Sequence, residues 1–200
     1  MGQQYFAERP TAARHPRSVH VVLPDLHLEL ETDSGMFSPT RLDPGTRLLL
    51  DTAPQPPAAG DLADLGCGYG PLALVLAARS PGARIWAVDV NTRALELCAR
   101  NAKKASLSNV RCVTPDDPGV PGRLQVIWSN PPVRIGKPAL QALLQTWLAR
   151  LSPDGAAFLV IQRYLGSDSL QRWLEQSGWA ADRFAARSGY RVLRVSGAGR

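Results

Sequence analysis

The chain has 200 residues, 44% hydrophobic and 20% charged, enough for one domain with its own core. No apolar run approaches the roughly 18 residues of a membrane span, and residues 1–9 are too polar for a secretory signal. Membrane and exported classes are thereby excluded, and a cytoplasmic location is expected. The three cysteines, Cys67, Cys98 and Cys112, make neither an even disulfide set nor a metal-ligand spacing, which fits free thiols and no metal. The net charge of +6 favours a nucleic-acid partner through phosphate attraction. Lysine occurs only as Lys103, Lys104 and Lys137, however, so the arginine excess is also open to a compositional origin.

In chain order, residues 19–23 and 26–31 read as short strands, the second alternating apolar with polar. All three histidines, His15, His20 and His27, lie in or near this region, too scattered for a metal site. Asp43-Pro44 has the form of a helix start, with Asp as N-cap and Pro at the first position, feeding residues 46–51. Residues 52–60, with three prolines, form a connection. From residue 61 the period switches repeatedly. Strands are predicted at 61–64, 84–89, 110–114, 124–129 and 156–162, and helices at 71–79, 92–105, 138–151 and 167–177. A closing hairpin is predicted from 184–187 and 190–195, turned at Ser188-Gly189.

Strands alternating with long helices predict an α/β, doubly wound, Rossmann-like fold with a mostly parallel, seven-stranded sheet. The hairpin is expected to add an antiparallel strand at the edge, and residues 1–60 a short N-terminal β extension before a core of residues 61–200. Ligands of such folds bind at the strand C-termini, near the topological switch point.

Asp64-Leu65-Gly66-Cys67-Gly68-Tyr69-Gly70 follows the first core strand and opens the first core helix. Its glycines permit a tight turn and close approach of a ligand to the main chain. The dinucleotide pattern needs a further Gly or Ala where this chain has Pro71. The spacing is instead Gly-x-Gly-x-Gly, preceded by a carboxylate. Asp64 suits a cationic amino group, which S-adenosylmethionine carries and a pyrophosphate does not. Asp89, ending the next strand ahead of Val90, is a candidate for the two ribose hydroxyls, the alternative being a cap on the following helix. Asp116 or Asp117, after the third strand, offers a carboxylate to an adenine amino group, or is an acidic surface turn.

Ser129-Asn130-Pro131-Pro132 follows the fourth core strand. Proline fixes φ and lacks an N–H, so paired prolines hold a rigid extended loop. The Asn130 side-chain oxygen and the Pro131 carbonyl are candidate acceptors for the two hydrogens of a conjugated amino group. Alignment and proximity then supply the catalysis, with no strong general base required.

On these residues the chain resembles the methyltransferase small domain family, whose best-known members are ribosomal RNA small-subunit guanine-N2 methyltransferases. The resemblance extends to Gly35-Met36-Phe37-Ser38 and to Leu42-Asp43-Pro44-Gly45-Thr46. It implies an S-adenosylmethionine-dependent N-methyltransferase acting on a guanine amine in RNA. It further implies cofactor contacts from Phe37, Asp43, Thr46, Asp64, Gly66, Cys67, Gly68, Gly70, Asp89, Val90, Asp116 and Asn130, with catalysis at Asn130, Pro131 and Pro132. The chain departs from the family in two places. Val133-Arg134 stands where an aromatic, often followed by His, is usual, and residues 1–60 are too short for the duplicated N-terminal half of the ribosomal enzymes. Val133, Arg134, Lys137 and Arg163 are candidate substrate contacts, the charged ones equally readable as solvated loop residues. A protein glutamine, a small-molecule amine and a non-catalytic RNA assembly role are the competing functions. The oligomeric state is left open, a homodimer being one route to missing substrate surface.

Overall fold

The computed structural model describes residues 16–33 and 38–197; Phe37 and His15 lie outside the described residues. An antiparallel hairpin, β1 (Pro16–Val22) and β2 (His27–Asp33), precedes α1 (Pro44–Thr52). Then follow β3 (Ala59–Leu65), α2 (Pro71–Arg79), β4 (Gly82–Val88), α3 (Thr92–Lys104), β5 (Val110–Val113) and β6 (Leu124–Ser129). The chain closes with α4 (Lys137–Leu148), β7 (Leu151–Gln162), α5 (Ser167–Gln176), β8 (Trp179–Arg187) and β9 (Tyr190–Gly197).

The main sheet has seven strands in the order β5-β4-β3-β6-β7-β9-β8, parallel from β5 to β7. This is the doubly wound architecture expected from the alternating pattern. One detail differs: the antiparallel strand β9 is inserted between β7 and β8, so β8 holds the edge. Two element limits also moved. β7 starts at Leu151, and β8 starts at Trp179 and not near 184. The first half of β8 is a half-exposed edge that mixes Ala, Asp and Arg, and it shows no apolar alternation to read. No side chain caps α5; its N-cap is Gly166, in the left-handed region.

Both faces of the sheet are covered, which explains the nearly continuous apolar strands. Successive residues point to opposite sides. Leu62, Ile85, Trp128 and Phe158 pack with α1, α2 and α3. Ala63, Trp86, Ile127 and Leu159 pack with α4 and α5. The N-terminal hairpin adds Val19, Val21 and Leu30 to the first of these cores. It is pinned to α3 by the buried pair of Arg93 with Asp33, and by Asn101, whose Oδ1 accepts from Glu31 N at 2.7 Å. Among the described residues, no helix is long and apolar enough to cross a membrane.

Strand order reverses at β3, where β4 and β5 lie on one side and β6 and β7 on the other. The glycine loop leaves β3 and the Asn-Pro-Pro loop leaves β6, so both emerge at the switch point.

Candidate active site

The glycine loop is built by backbone hydrogen bonds to the neighbouring strand. Gly66 N and Cys67 N both donate to Val88 O, at 2.8 and 3.0 Å. Gly66, Gly68 and Gly70 all have positive φ, at 73°, 56° and 99°. At Gly70 a side chain has no room either, since an added Cβ would lie 2.6 Å from Leu74 Cδ1 and 2.7 Å from Cys98 Sγ. Gly66 differs, because its added Cβ would meet only Pro132 Cδ at 3.7 Å and Asn130 O at 3.9 Å. The two loops, 64 positions apart in sequence, therefore adjoin across the exposed face of Gly66.

Asp89 braces this loop. Its Oδ2 accepts from Gly68 N at 2.9 Å and its Oδ1 from Asn91 N at 2.9 Å. Burial raises its carboxyl above the ordinary range, opposed by those N–H groups and by that of Val90. The helix cap is supplied by Asn91, whose side chain accepts from Arg93 N and Ala94 N. That removes the cap alternative for Asp89. Val90 beside it is exposed.

Asp64 lies beneath the loop, wholly buried. Its Oδ2 accepts from Ala73 N at 2.9 Å, while Oδ1 has no hydrogen-bond partner. Burial first, and then the charge of Asp89, push its carboxyl up to about 8, against the single N–H of Ala73. A buried carboxylate oxygen without a partner carries a desolvation cost that a cation would offset. Cys67 is buried, and although a hydrogen bond with Cys98 pulls its thiol down, burial with Asp89 and Asp64 carries it up to about 12. It is a small side chain in a tight turn and no nucleophile.

Asn130 meets the start of α1. Its Nδ2 donates to Asp43 Oδ1 at 2.8 Å and to Thr46 Oγ1 at 3.0 Å. Asp43 is the N-cap foreseen in the sequence, and the same Oδ1 accepts from Thr46 N at 2.9 Å. A carboxylate only accepts, so the amide nitrogen must face it and the Asn130 oxygen must face away. The Pro131 carbonyl, expected as a second acceptor, already receives the Val133 N–H at 2.8 Å. Pro132, at φ −74° and ψ 69°, centres this inverse γ-turn. A carbonyl oxygen has two lone pairs, and one remains.

The remaining candidates spread along the rim. Asp117 Oδ1 is engaged by Gly119 N at 2.7 Å, whereas Asp116 is exposed and held below the usual carboxylate range by the Thr114 hydroxyl. Each carboxylate therefore has a partner within its own turn, and both remain at the surface. Val133 is half-buried against the α4 side of the core. Arg134, Lys137 and Arg163 are exposed. Asn101 was missed from sequence. Its Nδ2 donates to Tyr69 O at 2.8 Å inside the glycine loop and to Glu31 O at 2.8 Å in β2. The available signal was one Asn on the apolar face of α3, level with Leu97 and Cys98.

Dinucleotide-binding enzymes of the same architecture need a further glycine where Pro71 stands, and they meet an anionic pyrophosphate there. Here a buried carboxyl with one unpartnered oxygen lies beneath the loop instead, which suits a cationic amino group such as S-adenosylmethionine carries and not a pyrophosphate. The class so defined is that of the S-adenosylmethionine-dependent methyltransferases. The chain belongs to the methyltransferase small domain family, whose model matches residues 27–194. It is similar to the uncharacterized protein YbxB of Bacillus subtilis (strain 168), at 31% identity over 198 residues and 98% of each chain. It is also similar to the ribosomal RNA small subunit methyltransferase C of Aeromonas hydrophila, 33% identical over 145 residues. That match spans 70% of this chain and only 42% of the relative. Among solved structures, the T. thermophilus 16S rRNA N2 G1207 methyltransferase, in complex with AdoMet and guanosine, superposes with a TM-score of 0.79 at 24% identity. The superposition covers 94% of this chain and 52% of that one.

Proposed function

We propose that this protein methylates an exocyclic guanine amine in ribosomal RNA. The observation that carries the reading is the way Asn130 is held. Asp43 and Thr46 take its amide nitrogen and so turn its side-chain oxygen away from the start of α1, while its backbone carbonyl lies beside Gly66. When bound, S-adenosylmethionine supplies an electrophilic methyl group on a sulfonium. Asp64 Oδ1 would hold its ammonium, Asp89 and Val90 its ribose, Asp116 its adenine amine, and Gly66, Cys67, Gly68 and Gly70 the main-chain wall.

An exocyclic guanine nitrogen has its lone pair delocalised into the ring. Asn130 Oδ1 and the remaining lone pair of Pro131 O would accept its two hydrogens, favouring a pyramidal nitrogen with its lone pair aligned. The methyl group would pass from the sulfonium to that nitrogen, and Asn130 Oδ1 and Pro131 O would hold its two hydrogens until one is lost as a proton to water. Pro131 and Pro132 hold the acceptors rigid, so the residues act through orientation. Asp43 and Thr46 are positioning residues on this reading, in addition to any contact they make with the cofactor.

The RNA assignment is supported by the similarity to ribosomal RNA small subunit methyltransferase C and by the net charge of +6. Residues 1–60 would form a flank over the cofactor and residues 61–200 the catalytic core. Three free thiols suit a reducing cytoplasm. Radiolabelled S-adenosylmethionine, incubated with separated ribosomal RNA, protein and metabolite fractions of a deletion strain, tests the proposal. Label should enter RNA with the wild type and not with Asn130→Ala. Label in protein or metabolites alone, or in nothing while the cofactor still binds, overturns it.

A further inference from the structure

β6 and β7 leave the sheet side by side. They pair in parallel with Ser129 opposite Leu159, and beyond their ends lie the triplets Val133–Ile135 and Arg163–Leu165. Both triplets are single 3-10 turns. Parallel neighbouring strands end at the same edge of the sheet, so the second turn lies on the rim that carries the Asn-Pro-Pro loop.

The two turns present opposite faces. Val133 is committed to the core, and a half-buried valine cannot lie flat against a base. Tyr164 is 88% exposed and Leu165 50% exposed. The other exposed Phe, Tyr or Trp among the described residues is Phe184, which already meets Phe158 edge-on at 5.2 Å. The Tyr164 turn is nonetheless well fixed. Arg163 N donates to Gly189 O at 2.8 Å, Gly166 N to Arg163 O at 3.2 Å, and Leu170 N to Gly166 O at 2.9 Å. Behind it Asp168 is paired with Arg183 and Arg191. An exposed ring on a braced turn, next in sequence to the exposed Arg163 and on the same rim as the exposed Arg134, matches a base with its phosphates better than an apolar partner.

We propose that Tyr164, with Arg134 and Arg163, is a stacking platform for an unpaired RNA base next to the target nucleotide, replacing the aromatic that Val133 does not supply. The proposal rests on the RNA reading above. Affinity of the full chain for a fluorescein-labelled single-stranded oligoribonucleotide, read by anisotropy, tests it. Tyr164→Ala should weaken binding about five- to 150-fold, the span of about 1–3 kcal/mol for base–aromatic stacking, and Tyr164→Phe should restore it. Arg134→Ala and Arg163→Ala should each flatten the salt dependence by about one phosphate contact. S-adenosylmethionine affinity and thermal midpoint should stay unchanged in all four. Unchanged RNA affinity in Tyr164→Ala overturns the platform alone. A wild type that binds no RNA at any salt removes the RNA reading and the platform with it.

Discussion

The side-chain nitrogen of Asn130 lies 2.8 Å from Asp43 Oδ1, joining positions 87 apart in sequence. The contact decides which end of the amide meets a substrate, because only the nitrogen can face a carboxylate. Asp43 should therefore act on catalysis through Asn130. Hydrogen bonds to charged groups contribute about 1.5–3 kcal/mol, so Asp43→Ser should lower single-turnover methyl transfer by about ten- to 150-fold. Serine keeps an N-cap but is too short to hold the amide. In an Asn130→Ala background the same substitution should add almost nothing, whereas independent roles would multiply. Calorimetric S-adenosylmethionine affinity separates this from a direct cofactor contact.

On the proposed assignment, Asp64 should make cofactor binding pH-dependent. Its folded carboxyl, raised to about 8, lies above the ordinary value of 3.8. A raised carboxyl means that the neutral form favours folding. Its stabilising contribution is complete below about pH 4 and is lost as pH rises through about 8. Asp64→Asn should remove that slope, gaining thermal stability over the wild type from about pH 5 to pH 8. An ammonium placed at Oδ1 should ionise the acid, so binding near pH 7 should release close to one proton. Titration calorimetry in two buffers of different ionisation enthalpy measures that proton. Asp64→Asn should release none; equal release in both proteins would contradict the assignment.

Two glycines of one loop should fail differently. At Gly70 a Cβ has positive φ and two side chains at 2.6 and 2.7 Å, so Gly70→Ala should cost about 2–5 kcal/mol of folding free energy. At Gly66 only the left-handed penalty of about 1–2 kcal/mol applies, because its neighbours are at ordinary contact. Gly66→Ala should fold, while its methyl group stands in the junction with Asn130. Denaturant midpoints should fall mainly for Gly70→Ala, and methyl transfer mainly for Gly66→Ala.

Asn101 couples the N-terminal hairpin to the glycine loop through Tyr69 O and both backbone groups of Glu31. Asn101→Ala leaves a buried carbonyl unpaired and should cost about 1–3 kcal/mol. Hydrogen exchange should rise at Glu31 N, its direct partner, and S-adenosylmethionine affinity should fall with the loosened loop. Protection unchanged at Glu31 would show that the hairpin is held elsewhere.

The sequence alone determined the architecture and the positions of both loops. Strand and helix periods are local, as are the Gly-x-Gly-x-Gly and Asn-Pro-Pro spacings, and Asp43-Pro44 is a local cap signal. The first half of edge strand β8 escaped because a half-exposed strand need not alternate, and the insertion of β9 inside β8 follows from pairing, which no local pattern records. What only the tertiary structure decided is which groups meet: that Asp43 receives the Asn130 nitrogen, that the Pro131 carbonyl receives the Val133 N–H, and that Asp64 keeps one oxygen unpaired. Hydrogen bonding and burial are set by which groups the folded chain brings within about 3 Å of each other, and sequence separation carries no record of that distance.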